Sequence, residues 1–294
     1  MPVAHRSDRT ASAMSRRQFL KFAAGTVASL GAVSVGASAY VTHIEPLRLE
    51  VTRLTVPLPN LPPAFEGYTL AHISDFHIGD WITPDQLWRM VTQVNALGPD
   101  LIAVTGDLAS NEYPGWGRDV SHVLAALQAP DGVAVTLGNH DHWTHAPTVR
   151  QAVLDAGAHL LWNTHTEVQR EGQTLYIVGV DDVWEGEADL NEALFEVPRA
   201  PVPTILLAHE PDYADEVAAT GRIGLQLSGH SHGGQVRLPG IGAPILPYLG
   251  QKYDQGLYNI GTMRLYVNRG IGMTSPYVRF NCPPEITVIR LTQA

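Results

Sequence analysis

Residues 70–77, Leu-Ala-His-Ile-Ser-Asp-Phe-His, form an apolar run that is typical of a buried strand and ends in a carboxylate and an imidazole. Alternate positions of an extended chain face the same side, so Asp75 and His77 can bind one metal ion together. Alone, the pair decides little, because a surface aspartate near a core histidine has the same pattern. The motifs further along the chain favour the metal site over this structural alternative.

Four more polar motifs follow short apolar runs, and side chains at the ends of several strands can converge on one edge of a sheet. With Asp75 and His77 they supply seven oxygen and nitrogen donors, which is too many for one tetrahedral ion but suits two ions that share a carboxylate. The sequence therefore predicts a site for two divalent cations, and Mn, Fe and Zn all fit the mixed donor set. The motifs are Gly106-Asp107, Gly138-Asn139-His140-Asp141, His209 and Gly229-His230-Ser231-His232-Gly233-Gly234, with Asp107, Asn139, His209, His230 and His232 as the donors.

The segments between the motifs alternate between strand and helix patterns. Thr83-Pro84-Asp85-Gln86 has the form of a capping box, and apolar residues then repeat at helical spacing as far as Leu97. This alternation indicates an α/β layered architecture. Further helices are predicted at 119–127 and 148–156, and strands at 49–56, 100–105, 132–137, 174–180, 204–208, 225–227, 258–260, 265–267 and 286–291.

Composition and charge exclude some classes of function. The chain has 294 residues, of which 45% are hydrophobic, so it can bury a large core. Residues 1–39 hold 5 of the 19 basic and 1 of the 29 acidic residues, which leaves 14 basic against 28 acidic and a net charge of −14 in residues 40–294. Such an acidic body disfavours binding to nucleic-acid backbones. The single cysteine, Cys282, excludes an internal disulfide and a thiolate zinc site.

The N-terminal segment resembles a twin-arginine export signal. Ser15-Arg16-Arg17-Gln18-Phe19-Leu20-Lys21 runs into the weakly apolar stretch 22–41, and Ala37-Ser38-Ala39 offers a cleavage site before Tyr40. Retention as a membrane anchor is the alternative. We therefore expect residues 1–39 to be a signal peptide or anchor and residues 40–294 to be the functional domain. The expected partner is the twin-arginine translocation machinery, and the expected location is the periplasm, the cell wall or the outer face of the cytoplasmic membrane.

The order of the five motifs resembles that of the calcineurin-like metallophosphoesterases. Within this family the chain looks most like the exported or membrane-associated phosphodiesterases of the YkuE and YaeI type, which residues 229–239 and 279–288 also resemble. The resemblance implies a β-sandwich of two mixed sheets with helices outside, and hydrolysis of a phosphate ester, preferably a diester, by a metal-bound hydroxide. It also implies that Asp107 bridges the two metals. One metal is then held by Asp75, His77 and His232, and the other by Asn139, His209 and His230.

The resemblance places His140 beside the substrate phosphate as a catalytic residue. An imidazole there can stabilise the charged transition state or protonate the leaving oxygen. A structural role behind the metal ligands is the alternative for His140. Asp141 would orient His140 or close the local turn. His142 and His145 are near enough in sequence to line the site, whereas the other histidines are expected to be structural or exposed.

Departures from the sequence motifs of two neighbouring subfamilies disfavour the activities of those subfamilies. Leu108-Ala109-Ser110-Asn111 follows Asp107, in place of the Asp-Arg-Gly of the protein serine/threonine phosphatases. Ser110 also stands where purple acid phosphatases have a metal-ligating tyrosine. Two alternatives remain: a lipid or nucleotide-sugar pyrophosphohydrolase of the UDP-2,3-diacylglucosamine type, and a non-catalytic scaffold with the same fold.

Two apolar segments bear on the substrate. Residues 238–253 follow the metal histidines, and Trp81-Ile82 and Trp88 follow the first ligand pair. A cleft with such a rim would accept an acyl chain or lie on a membrane, which favours a lipid-linked or cell-envelope phosphate ester. Burial of both segments in the core is the alternative.

Overall fold

Two six-stranded mixed sheets lie at the centre of the protein, as expected for the predicted sandwich. The computed structural model describes residues 16–294, apart from the side chains of residues 20, 23–25 and 27–33. The strands are β1 (Glu50–Leu58), β2 (Thr69–Ile73), β3 (Leu101–Thr105), β4 (Val133–Thr136), β5 (His159–Leu160), β6 (Thr164–Arg170), β7 (Gln173–Gly179), β8 (Thr204–Leu207), β9 (Leu225–Ser228), β10 (Gly256–Ile260), β11 (Met263–Val267) and β12 (Glu285–Gln293). The helices are α1 (Arg16–Ala39), α2 (Pro84–Ala96), α3 (Trp116–Ala125), α4 (Asn139–Asp155), α5 (Leu190–Ala193) and α6 (Ala214–Ala219).

The strand order explains how distant parts of the chain meet. The first sheet has the order β1-β12-β2-β3-β4-β5, in which β2 to β5 are parallel and β12 is antiparallel to β2. The second sheet has the order β10-β11-β9-β8-β7-β6, with a parallel centre formed by β7, β8 and β9. Strand β12 thus pairs between two strands from the first third of the chain.

Apolar residues on both faces of the central strands build three packed cores. In β3, Leu101 and Ala103 point between the sheets, whereas Ile102 and Val104 point outward to α2, α3 and α4. In β8, Leu206 similarly faces the core on the side of α5 and α6. Strands buried on both faces are apolar without alternation, which is why these runs are continuous in the sequence. The result is a layered arrangement of helices, sheet, sheet and helices.

Most predicted elements form where expected, and the differences have local causes. The capping box is present, because Thr83 accepts a hydrogen bond from the Gln86 N–H and the Gln86 side chain accepts one from Thr83. The helix predicted at 148–156 is the second part of α4, which begins at Asn139 and kinks at His145, two residues before Pro147. Strands β5 and β6 were not predicted. Most of β6 is at least partly exposed and polar, so it lacks the apolar run that marked the other strands.

The N-terminal helix α1 continues through one π-helical turn, Tyr40–Ile44, and one 3₁₀ turn, Glu45–Leu47. The backbone carbonyl of Val41 accepts a hydrogen bond from the Arg279 N–H at 2.9 Å, and the buried Glu45 carboxylate accepts one from the Cys282 N–H. This run therefore connects to the body at residues 279–282, and the predicted cleavage point before Tyr40 lies within it. In the range 16–294, none of the helices has both the length and the apolarity that a membrane crossing requires. Residue 15, the first of the export motif, lies outside the described residues.

Candidate metal centre

The ends of five parallel strands bring the predicted metal donors to one end of the sandwich. Strand β2 leads into Asp75 and His77, β3 into Asp107, and β4 into Asn139. In the second sheet, β8 leads into His209 and β9 into His230 and His232. All seven side chains are buried. The centre therefore draws donors from both sheets.

The backbone turns sharply at these strand ends. Five of the seven donors have positive φ angles, a conformation that residues other than glycine seldom adopt. This backbone strain recurs at the strand ends that carry the predicted donors, which favours a functional role for them. These residues are Asp75 (57°), His77 (54°), Asp107 (54°), His230 (67°) and His232 (51°).

Asp75, His77 and His232 form one group of donors whose ligand atoms lie within 4.8 Å of one another. The Nε2 atoms of His77 and His232 are 2.9 Å apart, and Asp75 Oδ1 lies 3.4 Å from His232 Nε2. The Nδ1 atom of His77 is held by the hydroxyl of Ser110, so Nε2 remains for a metal. The group is the same three residues that the family resemblance implies for the first metal.

Asp107 lies between this group and His209. Its Oδ2 atom is 3.7 Å from His77 Nε2 and 3.2 Å from His209 Nε2, a position suited to bridging two ions. The Nδ1 atom of His209 donates to the Thr105 carbonyl at 2.6 Å, which leaves Nε2 facing Asp107. A second group of ligand atoms within 4.8 Å comprises Asp75, Asp107 and His209.

Asn139 and His230 complete the predicted set beside His209. The buried Asn139 Oδ1 has no hydrogen-bond partner among residues 16–294, which is unusual for a buried polar atom and fits a metal ligand. The rings of His230 and His209 are 5.0 Å apart, and His230 Nε2 is paired with the Tyr248 carbonyl at 2.6 Å. Its Nδ1 atom is thus left to bind. The unpartnered Asn139 oxygen and the neighbouring imidazoles of His209 and His230 therefore fit the binding of divalent cations.

Burial sets the charges of these groups. It lowers the pKa of His77 to about 3 and that of His230 to about 4, so both imidazoles are neutral, as metal ligands must be. Burial, together with the neighbouring Asp107, raises the pKa of Asp75 to about 7. Burial opposes ionisation of Asp107 too, but the nearby His209, His140 and His77 together outweigh it and hold the pKa of Asp107 well below its ordinary value. Two buried carboxylates this close need cationic partners to remain ionised together.

His140 lies at the open side of the centre. Its backbone N–H donates to Asp107 Oδ1 at 2.8 Å, and its ring Nδ1 is 3.1 Å from the Ser110 hydroxyl. The same hydroxyl therefore contacts both His77 and His140, a role that sequence reasoning did not find for Ser110. A third group of ligand atoms comprises His77, Asp107 and His140, so the geometry allows His140 either a catalytic or a metal-binding role.

Asp141, His142 and His145 are placed differently from one another. The Asp141 carboxylate accepts hydrogen bonds from the Gly138 N–H at 3.0 Å and the Ala109 N–H at 2.9 Å, which are the contacts expected of a residue that closes the turn. His142 pairs with Asp181 at 2.8 Å and His145 with Thr148, and neither lines the cleft beside the donors, so the prediction that they line the site is wrong. His145 itself lies at the kink of α4.

A cleft of about 450 Å³ opens beside the metal donors. Asp107, Asn139, His140, His230 and His232 lie at its polar end, and residues 244–248, residues 274–276 and Val278 line its more apolar side. Trp143 packs edge-on against Trp184 at 5.2 Å, and Trp184 against Tyr248 at 5.5 Å. Trp184 was not predicted, although it follows strand β7 just as the donors follow theirs.

The apolar rim comes only partly from the predicted segments. Part of residues 238–253 lines the cleft as expected, but Trp81, Ile82 and Trp88 do not. Ile82 is buried in the core under α2, and Trp88 is an exposed residue of that helix. The prediction that these three residues form part of the rim is wrong, because Ile82 packs into the core and Trp88 lies on an exposed face of α2.

Comparison with known proteins gives a consistent result. Residues 68–234 match the family Calcineurin-like phosphoesterase. The chain is 36% identical over 281 residues to the uncharacterized metallophosphoesterase YkuE of Bacillus subtilis, covering 95% of this chain and 98% of that one. It is 30% identical over 288 residues to the phosphodiesterase YaeI of Escherichia coli, covering 95% and 99%. It is 27% identical over 312 residues to the UDP-2,3-diacylglucosamine pyrophosphatase LpxG of Chlamydia trachomatis, covering 85% and 92%.

Proposed function

Because this chain belongs to the calcineurin-like phosphoesterase family, we propose that its metal centre hydrolyses a phosphodiester that carries a lipid group. The chain is a metal-dependent phosphoric ester hydrolase. The observation that carries the proposal is the composition of the cleft, in which metal donors at one end meet an apolar wall at the other. A phosphate with an apolar substituent matches both ends.

Seven side chains would hold the two cations. Asp107 would contact both of them, since it lies between the two groups of donors. Bound divalent cations supply a nucleophile from water at neutral pH and neutralise charge on the phosphate oxygens. We assign Asp75, His77 and His232 to one ion and Asn139, His209 and His230 to the other, with Mn, Fe and Zn as candidate ions.

His140 would act on the substrate from the open side. Its backbone is held by Asp107 and its Nδ1 by Ser110, so the Nε2 atom remains available to the cleft. From there it can donate a hydrogen bond to a phosphate oxygen or a proton to the leaving oxygen.

A diester is favoured because YaeI is named a phosphodiesterase and its sequence matches nearly the full length of this chain. A nucleotide-sugar lipid pyrophosphate is the second candidate, supported by the likeness to LpxG over 85% of the chain. A non-catalytic scaffold is disfavoured, since all seven predicted donors and His140 lie together.

Hydrolysis of bis-p-nitrophenyl phosphate and p-nitrophenyl phosphate by the full chain, with Mn, Zn or a chelator, tests the proposal. We expect metal-dependent cleavage that prefers the diester. Asp107→Asn should lower it by roughly a hundredfold or more, because the two cations that Asp107 would hold, and the charge stabilisation they supply, are weakened. The matched control, Asp85→Asn on the exposed first turn of α2, should leave the rate unchanged. Full activity in Asp107→Asn would mean that the centre is assigned wrongly.

We further propose export by the twin-arginine route, with the enzyme acting outside the cytoplasmic membrane. The supporting observation is the motif Arg16-Arg17-Gln18-Phe19-Leu20-Lys21, whose two arginines are exposed at the start of α1. Replacing Arg16 and Arg17 together by Lys should abolish export, whereas replacing Arg6 and Arg9 by Lys should not. N-terminal sequencing of the exported protein distinguishes cleavage before Tyr40 from retention as an anchor.

A further inference from the structure

An exposed apolar loop projects from the mouth of the metal cleft. Leu238 and Gly242 pair through two backbone hydrogen bonds of 2.9 Å, which makes a tight turn with Ile241 at its tip. Ile241 is 75% exposed and Ile245, which lines the cleft, is 80% exposed. Single exposed apolar residues are ordinary, but a cluster at the mouth of a site marks an interaction surface.

Two aromatic residues extend this surface across the cleft. Tyr248 is 57% exposed and Trp143 is 51% exposed, and both line the opening. Trp and Tyr are the residues that membrane interfaces favour, because their rings are apolar and their edges polar. Pro244 and Pro247 restrict the backbone between Ile241 and Tyr248, so the loop presents its side chains without having to be ordered first.

The charge around the opening differs from that of the rest of the protein. Residues 233–251 and 270–284, which include the apolar walls of the cleft, contain no aspartate or glutamate, although residues 40–294 carry a net charge of −14. The two arginines in these segments are engaged internally, Arg237 with Asp254 and Arg279 with backbone carbonyls. These two segments of the rim therefore present no unpaired charge on an acidic body, which suits an apolar partner rather than a charged protein or nucleic acid.

The N-terminal helix approaches the body near this rim. The Val41 carbonyl and the Glu45 carboxylate are bonded to residues 279 and 282, directly after the wall segment 274–278. The Arg279 guanidinium donates hydrogen bonds to the carbonyls of Gly270 and Gly272, which precede that segment in the chain. A helix that leaves the body here would direct any membrane attachment of the N-terminus toward the cleft.

We propose that Trp143, Leu238, Ile241, Ile245 and Tyr248 form a docking surface that inserts into a phospholipid bilayer and places the cleft opening against it. This inference rests on the proposed lipid-linked substrate and adds where the enzyme meets it. Insertion would let the phosphate reach the metal centre while the acyl chains remain in the membrane. Because the contact is apolar and the body acidic, binding to uncharged phosphatidylcholine vesicles should persist at high salt.

The test places a fluorescent label on the full chain. Cys282 is buried, so Ile241→Cys can be labelled selectively with an environment-sensitive dye. The matched control is Phe195→Cys, at an 86% exposed apolar residue outside the docking surface. With phosphatidylcholine vesicles we expect a blue shift at position 241 and several-fold protection from iodide quenching, and neither change at position 195.

A second measurement uses variants outside the cleft lining. The pair Leu238→Ser and Ile241→Ser should lower vesicle partitioning roughly tenfold, since burial of each side chain contributes to insertion. The control pair Phe195→Ser and Leu257→Ser removes two exposed apolar side chains elsewhere and should leave partitioning unchanged. Hydrolysis of soluble bis-p-nitrophenyl phosphate should be the same in both pairs.

Three results would overturn the docking surface. The label at position 241 could remain as open to iodide on vesicles as the label at 195. It could be shielded before lipid is added, together with a doubled mass in solution, which would make the surface a contact between two copies of the chain. Both serine pairs could reduce partitioning equally. Shielding at 241 without any hydrolysis of soluble diester would instead refute the proposed function and leave the docking surface standing.

Discussion

His140 is the residue whose role the geometry leaves most open. It belongs to a group of potential metal donors with His77 and Asp107, yet it also lines the substrate cleft. If it assists the reaction, His140→Ala should lower kcat by roughly a hundredfold or more with both metals retained, which is typical for loss of a general acid. Elemental analysis of the purified variant beside kcat measurements checks this. Loss of one metal per chain would make His140 a ligand, and His145→Ala, which is outside the cleft, should change neither quantity.

His142 has a structural role that predicts a pH dependence. The hydrogen bond to Asp181 raises the pKa of His142, and despite burial the same bond lowers the pKa of Asp181 to about 2. A raised histidine pKa stabilises the fold fully below the unfolded pKa of about 6.5, and this stabilisation disappears as the pH rises through the folded pKa. The contribution of the Asp181 carboxylate to the stability of the fold is present above its unfolded pKa of about 3.9 and declines as the pH falls below that value.

The variant that tests this is His142→Gln, which can keep a hydrogen bond to Asp181 but cannot become charged. We expect it to unfold more easily than the parent at pH 5, by roughly 1–2 kcal/mol, with a smaller difference at pH 8. Urea unfolding at both pH values measures the difference. Equal destabilisation at the two pH values would show that charge on His142 is not involved. The variant should retain its metals.

At the scale of the secondary-structure elements, the strand ends decide whether the centre assembles. Gly106 ends β3 with a φ of 84°, and a Cβ there would lie 2.6 Å from the Gly138 nitrogen and 2.8 Å from His209 Nδ1. Three strand ends thus meet at one glycine, and no flexible side chain is available to move aside. The close approach places Asp107, Asn139 and His209 next to one another.

Gly106→Ala should therefore disrupt both folding and metal binding. The control is Gly98→Ala, because Gly98 also has a positive φ of 61° but no atom lies within 4 Å of the position that an alanine methyl would occupy there. A positive φ costs each alanine roughly 1 kcal/mol, whereas the steric clash at residue 106 should add several more. Unfolding free energies and metal content of the two variants measure the contrast. Equal losses would mean that the close approach at Gly106 is unimportant.

At the scale of the whole molecule, the metal centre joins the two sheets. Asp75, His77, Asp107 and Asn139 come from the first sheet and His209, His230 and His232 from the second, so bound cations would connect both halves of the sandwich. They would also offset the repulsion between buried carboxylates.

Removal of the metals should consequently lower the stability of the entire domain. A ligand present at a hundred times its Kd stabilises the folded state by about 2.7 kcal/mol, so dialysis against a chelator should lower the Tm by several degrees. Readdition of Mn or Zn should restore it. Asp107→Asn should show a much smaller response, and an unchanged Tm on chelation of the parent protein would contradict a stabilising centre.

The layered fold, the position of each donor at a strand end and the family could all be predicted from the order of the amino acids. These features are local, because a run of apolar residues followed by a polar turn is visible within ten residues. Three other features became visible only in the folded chain: β12 pairs between β1 and β2, Trp184 lines the cleft while Trp88 does not, and His142 faces Asp181. Each of these depends on contacts between residues far apart in the chain, which the packing of sheets and helices selects and no short pattern encodes.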